Sequence, residues 1–147
     1  MTTLHVAVAS AGWNTRRAVA AVLRWDGQEE SKTIVRGLEQ DDSAPAGYRA
    51  LVLGLWEARR AGAKLVDIAV DAPEVAAQVE GTEDPPIEVI GPYLQVRAML
   101  NAFDHARIRY VLSPHVQRAA KAAAVAVRPR PRYADLPLWV ASRTRAA

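Results

Sequence analysis

The Asp26-Gly27 dipeptide constrains the fold more than any other feature of this sequence. It separates two apolar segments that contain β-branched residues, 17–25 and 31–37. An Asp-Gly pair between two such segments is typical of a β-hairpin, because both positions of the tightest turn require positive φ. Residues 4–9 alternate large and small apolar side chains and predict an earlier strand, which a break at residues 10–12 should end. The chain is therefore expected to begin with three antiparallel strands.

Helical and strand-like segments alternate after this opening. Residues 45–62 carry a helical apolar pattern that begins at a proline and ends at a glycine. Residues 65–70 form a short apolar run, as expected for a buried strand. A second helix is predicted from Asp71 to Gly81, with Asp71 as its cap and Glu74 three residues later.

The remaining segments predict two helices and one strand. Residues 87–103 carry a helical stripe whose firm part begins near Tyr93, because Pro92 weakens the first turns. Residues 106–112 alternate as a strand, and Ser113-Pro114 opens an alanine-rich helix that ends near Val127. The predicted order is βββαβααβα. It implies an α/β fold with a five-stranded mixed sheet, three antiparallel strands followed by parallel ones, flanked by helices.

Composition narrows the class of protein. The chain has 147 residues, of which 50% are hydrophobic and 24% are charged, as in one globular domain. It has no cysteine, which excludes disulfides, thiolate zinc sites and cysteine nucleophiles. No apolar run approaches the ~20 residues of a membrane span. We therefore expect a cytoplasmic protein without a membrane partner.

Positive charge is concentrated in the last twenty residues. Five arginines against one aspartate give residues 128–147 a charge of +4, so a total of +3 leaves −1 on residues 1–127. We expect a domain over 1–127 and a basic, proline-containing tail over 128–147. Arg128, Arg130 and Arg132 could attract a polyanion or only solvate the surface. Leu136, Leu138 and Trp139 form an apolar patch suited to a protein partner or a second copy.

The middle of the chain resembles the ribonuclease H family. Residues 46–51 read Ala-Gly-Tyr-Arg-Ala-Leu, where the family's first helix usually begins Ala-Glu-Tyr-Arg-Ala-Leu. Residues 66–71, followed by Gln78 and Gly81, resemble the family's strand that ends in Asp-Ser before a helix. Residues 93–111 are similar to its later helix and last strand. The resemblance covers residues 4–127 and implies the ribonuclease H-like fold.

The resemblance also implies a catalytic centre that this sequence largely lacks. In the family, four acidic side chains hold two magnesium ions for phosphodiester cleavage. Carried over, three of these positions fall on Ala9 or Ser10, on Gly47 and near Ala120, none of which is acidic. Asp71 alone matches, either as the remnant of a metal site or only as a helix cap. Asp135 is a rival for the last position, after an insertion.

Other acidic residues offer no obvious replacement. Asp41, Asp42 and Glu57 are interpreted as solvated surface charges. The sequence therefore indicates a degenerate member of the family, without a resident cofactor. Magnesium is expected only if some activity survives.

A turn near the N-terminus suggests a nucleic-acid contact. Trp13, Asn14, Arg16 and Arg17 stand where the family has a glycine-rich loop near the nucleic-acid backbone. A tryptophan beside arginines can stack on a base and bind phosphate. The alternative is that Trp13 packs on the sheet edge and the arginines are merely solvated.

Three functions remain open from the sequence. The first is a non-catalytic module that binds nucleic acid, such as an RNA/DNA hybrid or a structured RNA or DNA. The second is a protein-interaction or homo-oligomeric assembly module. The third is a magnesium-dependent RNA/DNA hybrid ribonuclease with relocated ligands.

Overall fold

The order of helices and strands agrees with the predicted one. The computed structural model describes residues 1–129. The strands are β1 (Thr3–Trp13), β2 (Arg16–Trp25), β3 (Lys32–Gly37), β4 (Leu65–Val70) and β5 (His105–Tyr110), and the helices are α1 (Ala46–Arg60), α2 (Pro73–Glu80), α3 (Ile90–Leu100) and α4 (Pro114–Val127). Within residues 1–129, no helix is both long enough and apolar enough to cross a membrane.

The five strands form one mixed sheet in the order β3-β2-β1-β4-β5. The pairs β1–β2 and β2–β3 are antiparallel, whereas β1–β4 and β4–β5 are parallel. This arrangement confirms the predicted five-stranded mixed sheet. Because β1 and β4 run in parallel, their carboxyl ends meet at one edge of the sheet, next to Ser10 and Asp71.

The first strand is longer than the sequence indicated. A break was predicted at residues 10–12, but β1 continues to Trp13 and stays paired with β2 throughout. Ser10 pairs with Val19, so cross-strand pairing outweighs the weak strand propensity of serine, alanine and glycine. The turn is formed by Asn14, whose φ is 53°, and its neighbour Thr15. Asparagine tolerates this left-handed conformation better than most residues.

The third helix also begins earlier than predicted. It starts at Ile90, directly after a short 3-10 turn at Ile87–Val89, although Pro92 was expected to delay it to about Tyr93. Pro92 is the third residue of the helix. The first N–H groups of a helix have no intrahelical acceptor, so a proline there removes no hydrogen bond.

The sheet is covered on both faces, in two different ways. Helix α1 packs on one face together with α2 and α3, around the larger aliphatic side chains of the strands. Helix α4 packs on the other face through small residues, because Ala119 and Ala123 contact a sheet surface that is itself mostly alanine. Small residues on both sides let the helix approach the sheet closely.

Candidate functional site

Asp71 lies where β4 ends, beside Ser10 of β1, which continues to Trp13. It directly follows β4, and its carboxylate accepts the backbone N–H of Ser10 at 3.4 Å. Burial raises the pKa of Asp71; the Ser10 N–H opposes this rise, and nearby Glu74 adds to it. The carboxylate therefore sits in a partly desolvated position beside the first strand.

Asp71 does not cap the second helix, so that prediction is wrong. The N-cap residue of α2 is Ala72, and no side chain accepts a hydrogen bond from the first turn. The Asp71 carboxylate lies against β1 instead of the N–H groups of α2. Helix capping therefore does not explain this aspartate. Its position beside β1, at the end of β4, matches the one carried over from the family.

The two rival positions for the first family carboxylate lie on opposite faces of the sheet. Ala9 is 0% exposed and packs in the alanine-rich cluster beneath α4. Ser10 follows it on the other face, because successive strand residues alternate, and its backbone contacts Asp71. Neither supplies a carboxylate.

Gly47 lies against the first turn of α2, which fills the space of a side chain. A Cβ atom built on Gly47 would lie 2.9 Å from Cγ2 of Val75 and 3.1 Å from Cβ of Ala72. Both distances are tighter than ordinary van der Waals contact. A glutamate at position 47 would require the Val75 side chain or the start of α2 to shift.

The last carried-over position lies inside a helix interface. Ala120 belongs to α4 and packs, partly buried, against the alanine-rich cluster. Its rival Asp135 lies outside the described residues.

The resident side chains do not fit the two-magnesium centre that the resemblance implied. Asp71 is the only acidic residue among the positions carried over. Across residues 1–129, no group of three or more histidine, aspartate or glutamate side chains is placed to hold a metal ion. One carboxylate can supply only part of a magnesium shell, and two ions need several.

The hairpin tip beyond Ser10 presents an aromatic ring and a cation to solvent. Trp13 is 53% exposed, and Arg16, its partner across the turn, is also exposed. Trp13 lies three residues beyond Ser10 along the strand, a distance of about 10 Å. The structure thus brings two of the predicted nucleic-acid residues to the same edge as Asp71, with Asn14 forming the turn between them.

Arg17 is engaged within the fold. Its guanidinium donates to the carbonyl oxygen of Ala44 at 2.9 Å and to that of Asp42. These bonds tie β2 to the loop that precedes α1. Arg17 is therefore removed from the predicted interface.

Asp42 organises the same loop, which its interpretation as a solvated surface charge did not anticipate. Its carboxylate accepts the Ala44 N–H at 3.0 Å and an N–H of Arg49 at 3.1 Å. These two hydrogen bonds lower the pKa of Asp42. An aspartate whose carboxylate accepts the N–H of the residue two positions later is typical of an Asx turn. The sequence signal for this role was an aspartate in the polar loop before α1.

The basic tail begins beside the hairpin. Ala126 and Val127, at the end of α4, line a cavity of about 180 Å³ together with Arg16. Arg128 follows at once and is exposed. Thus Arg16 and Arg128, which are far apart in the sequence, lie on the same side of the molecule. The other predicted tail residues, Arg130, Arg132, Leu136, Leu138 and Trp139, lie outside the described residues.

Three solved ribonucleases H are similar to this chain in fold. Ribonuclease H1 from the archaeon Halobacterium salinarum NRC-1 is 22% identical, with a TM-score of 0.69 over 85% of this chain and 96% of that one. The N-terminal ribonuclease H domain of Rv2228c from Mycobacterium tuberculosis is 17% identical, with a TM-score of 0.72 over 84% and 97%. LC11 ribonuclease H1, solved with an RNA/DNA hybrid, is 11% identical, with a TM-score of 0.70 over 84% and 94%.

Sequence comparison gives the family directly. No curated protein matches the chain. The family model described as reverse transcriptase-like matches residues 9–126, which is most of the chain. The chain therefore belongs to the reverse transcriptase-like family, and its fold is that of the ribonuclease H-like superfamily.

Proposed function

We propose that this chain is a non-catalytic ribonuclease H-like domain that binds nucleic acid, and that an RNA/DNA hybrid is its ligand. The observation that carries the proposal is the composition of the sheet edge. Asp71 stands there outside any group of three or more acidic or histidine side chains placed to hold a metal ion within residues 1–129, while Trp13 and Arg16 project from the adjoining hairpin. Such an edge offers a base-stacking surface and a phosphate contact but few acidic groups to hold metal ions.

A structural neighbour supports the choice of ligand. LC11 ribonuclease H1 was solved in complex with an RNA/DNA hybrid and shares this fold at a TM-score of 0.70. We extend that ligand class to this chain as part of the proposal. Trp13 would stack on an exposed base, and Arg16 and Arg128 would each contact a phosphate.

The binding test uses fluorescence anisotropy of a labelled hybrid at several salt concentrations. Wild-type binding should weaken steeply with salt, because phosphate contacts release counterions. Trp13→Ala should weaken binding about 5- to 150-fold, the range of ~1–3 kcal/mol for one base–aromatic stack. Arg16→Gln should lower the salt slope by about 1.

A matched control lies at the far end of the molecule. Arg59 is exposed near the end of α1, away from the hairpin, so Arg59→Gln removes the same charge outside the proposed interface. It should leave the salt slope unchanged. Absence of hybrid binding at low salt, or equal losses in Arg16→Gln and Arg59→Gln, would overturn the proposed interface.

The non-catalytic part of the proposal has its own assay. Hybrid incubated with magnesium or manganese should remain intact. Cleavage that disappears in Asp71→Asn would instead establish a ribonuclease with relocated ligands. The assembly role of Leu136, Leu138 and Trp139 and the cytoplasmic location stay predictions.

A further inference from the structure

Glu57 is a buried carboxylate whose one side-chain hydrogen bond among the described residues is long. It lies in α1 and is 5% exposed, so its interpretation as a solvated surface charge is wrong. Its nearest cation is Arg60, with Nη1 3.5 Å from Oε1. Charge-assisted hydrogen bonds are usually about 2.7–2.9 Å long, so this contact is weak. Buried charges are normally well paired, and Glu57 therefore retains unused capacity to accept hydrogen bonds.

Glu57 lines a cavity large enough for a small molecule. The cavity has a volume of about 360 Å³, within the range of ~300–1,000 Å³ that is common for ligand pockets. Leu4, Leu23 and Trp25 supply apolar lining. It lies far from Asp71, because Glu57 follows Gly47 by ten helical residues, about 15 Å. The cavity is thus separate from the hairpin edge.

The charges around this cavity suit a ligand with both a hydrogen-bond-donating part and an anionic part. Lys32 and Arg60 line it together with Glu30, which leaves one net positive charge besides Glu57. Arg60 is 62% exposed, so its guanidinium is available to an anion in the cavity mouth. A second cavity of about 380 Å³ shares Trp25 with the first and adds Lys64. Cations therefore surround a buried acid and an aromatic side chain.

We propose that this cavity binds a guanine nucleotide. The Glu57 carboxylate accepts N1–H and the exocyclic amino group of the base, one on each oxygen. Trp25 provides an apolar surface for the purine ring, and Lys32 and Arg60 bind the phosphate. The weak Glu57–Arg60 contact is exchanged for these stronger ones.

Guanine is the base that matches a carboxylate best. Its Watson–Crick edge carries two adjacent donors, whereas adenine and cytosine each present one amino group next to an acceptor nitrogen. That acceptor would face the second carboxylate oxygen and repel it. An unpaired buried polar group is unfavourable by about 1–3 kcal/mol, which separates guanine from the other bases.

The first test needs no variant. Isothermal titration calorimetry of the full chain should give saturable binding of guanosine 5′-monophosphate. Inosine 5′-monophosphate, which lacks the 2-amino group, should bind at least about 10-fold more weakly, and adenosine 5′-monophosphate more weakly still. Equal affinity for the three nucleotides, or no saturable heat with the guanine nucleotide, would overturn the proposal.

The second test assigns the binding to Glu57. Glu57→Gln should reduce affinity for guanosine 5′-monophosphate at least about 10-fold, whereas Glu80→Gln, an exposed position on α2, should not. Circular dichroism verifies that both variants are folded. Unchanged affinity in folded Glu57→Gln would contradict the site. Hybrid binding through Trp13 is measured in parallel and should not change, so the two proposals can fail separately.

The source of the guanine is settled by one further titration. A short single strand that begins with 5′-phosphorylated guanosine is compared with the free nucleotide. Tighter binding of the strand assigns the cavity to nucleic-acid ends, and binding of the mononucleotide alone assigns it to free nucleotides.

Discussion

Among single residues, Asp71 has a partly buried carboxylate that, within residues 1–129, accepts one hydrogen bond from another residue, the Ser10 N–H. Because burial raises its pKa above the usual 3.8, its stabilising contribution is complete below that pH and is lost as pH rises through the folded-state pKa. Asp71→Asn keeps an acceptor for Ser10 without the charge. We expect it to raise the free energy of unfolding near neutral pH by more than ~0.5 kcal/mol.

Urea unfolding across the acid range checks this prediction. The gain from Asp71→Asn should disappear below pH 3.8, where the wild-type carboxyl is protonated in both states. Asp104→Asn, at an exposed position, should change stability little at any pH. A destabilised Asp71→Asn at neutral pH would mean that the charge supports the fold.

Tyr48 gives a second prediction at this scale. Its buried hydroxyl donates to Oε1 of Gln78 at 2.6 Å, and burial raises its pKa from 10.0 to about 12. Stability from this group is complete below pH 10.0 and is lost as pH rises to about 12. Tyr48→Phe leaves Gln78 unsatisfied and should lose about 1–3 kcal/mol at neutral pH. The difference from wild type should shrink in alkali, whereas exposed Tyr110→Phe should behave as wild type.

Residue roles were the hardest part to predict from the sequence. The absence of acids at Ala9 or Ser10 and at Gly47 could be read directly, because matching neighbours anchor the alignment there. The position near Ala120 was less secure, because the last helix matches the family poorly and Asp135 is a rival. The roles of Asp71 and Glu57 could not be read directly, since both depend on contacts across the fold. An aspartate before a proline-containing helix start looks like a cap, and only the proximity of β1 shows that its carboxylate lies elsewhere.

Among the elements, α1 lies close to the sheet at Gly54. A Cβ atom there would lie 2.6 Å from Cγ1 of Val8 and 3.0 Å from Cγ1 of Val6. Gly54→Ala should therefore destabilise the protein by about 1–3 kcal/mol through overpacking, despite the better helix propensity of alanine. Thermal unfolding measures the loss.

Gly91 provides the matched control. It lies in the first turn of α3, and no atom lies within 4 Å of its Cβ position. Gly91→Ala should stabilise the protein by about 0.5–1 kcal/mol, because alanine has less backbone freedom to lose on folding. Equal effects of the two substitutions would show that packing at Gly54 is loose.

Element order was predictable because local signals agreed with one another. Asp26-Gly27 is followed by a third strand, and Gly27 has the positive φ that its turn requires. One error arose where tertiary pairing decided the outcome, because the extension of β1 through Gly12 depends on β2. The other was local, because Pro92 falls in the first turn of α3, where proline is tolerated.

For the whole molecule, we predicted a domain over 1–127 and a tail over 128–147. This division implies that the tail contributes to hybrid binding but not to the stability of the fold. Residues 1–127 contain the five strands and four α-helices that the structure describes and the whole matched family region, residues 9–126. They carry −1 of the total +3 charge. Truncation after Val127 should leave the melting temperature unchanged. It should flatten the salt dependence of hybrid binding by about 0.9 for each phosphate that the tail neutralises in the full-length protein.

A charge variant separates the arginines from the length of the tail. Replacing Arg128, Arg130 and Arg132 with glutamine should reproduce most of the flattening in full-length protein. A salt slope unchanged by both variants would place the phosphate contacts on residues 1–127 alone.

The contact between Val75 and Gly47 also bears on how this sequence can evolve. A single mutation from glycine to glutamate would press against Val75 and would be selected against as destabilising. A prior change of Val75 to a smaller residue would remove that barrier, so the order of the two mutations matters. The absence of an acidic residue at position 47 is thus easier to keep than to reverse. Related sequences that carry glutamate here should carry a smaller residue, or a displaced second helix, at the position of Val75.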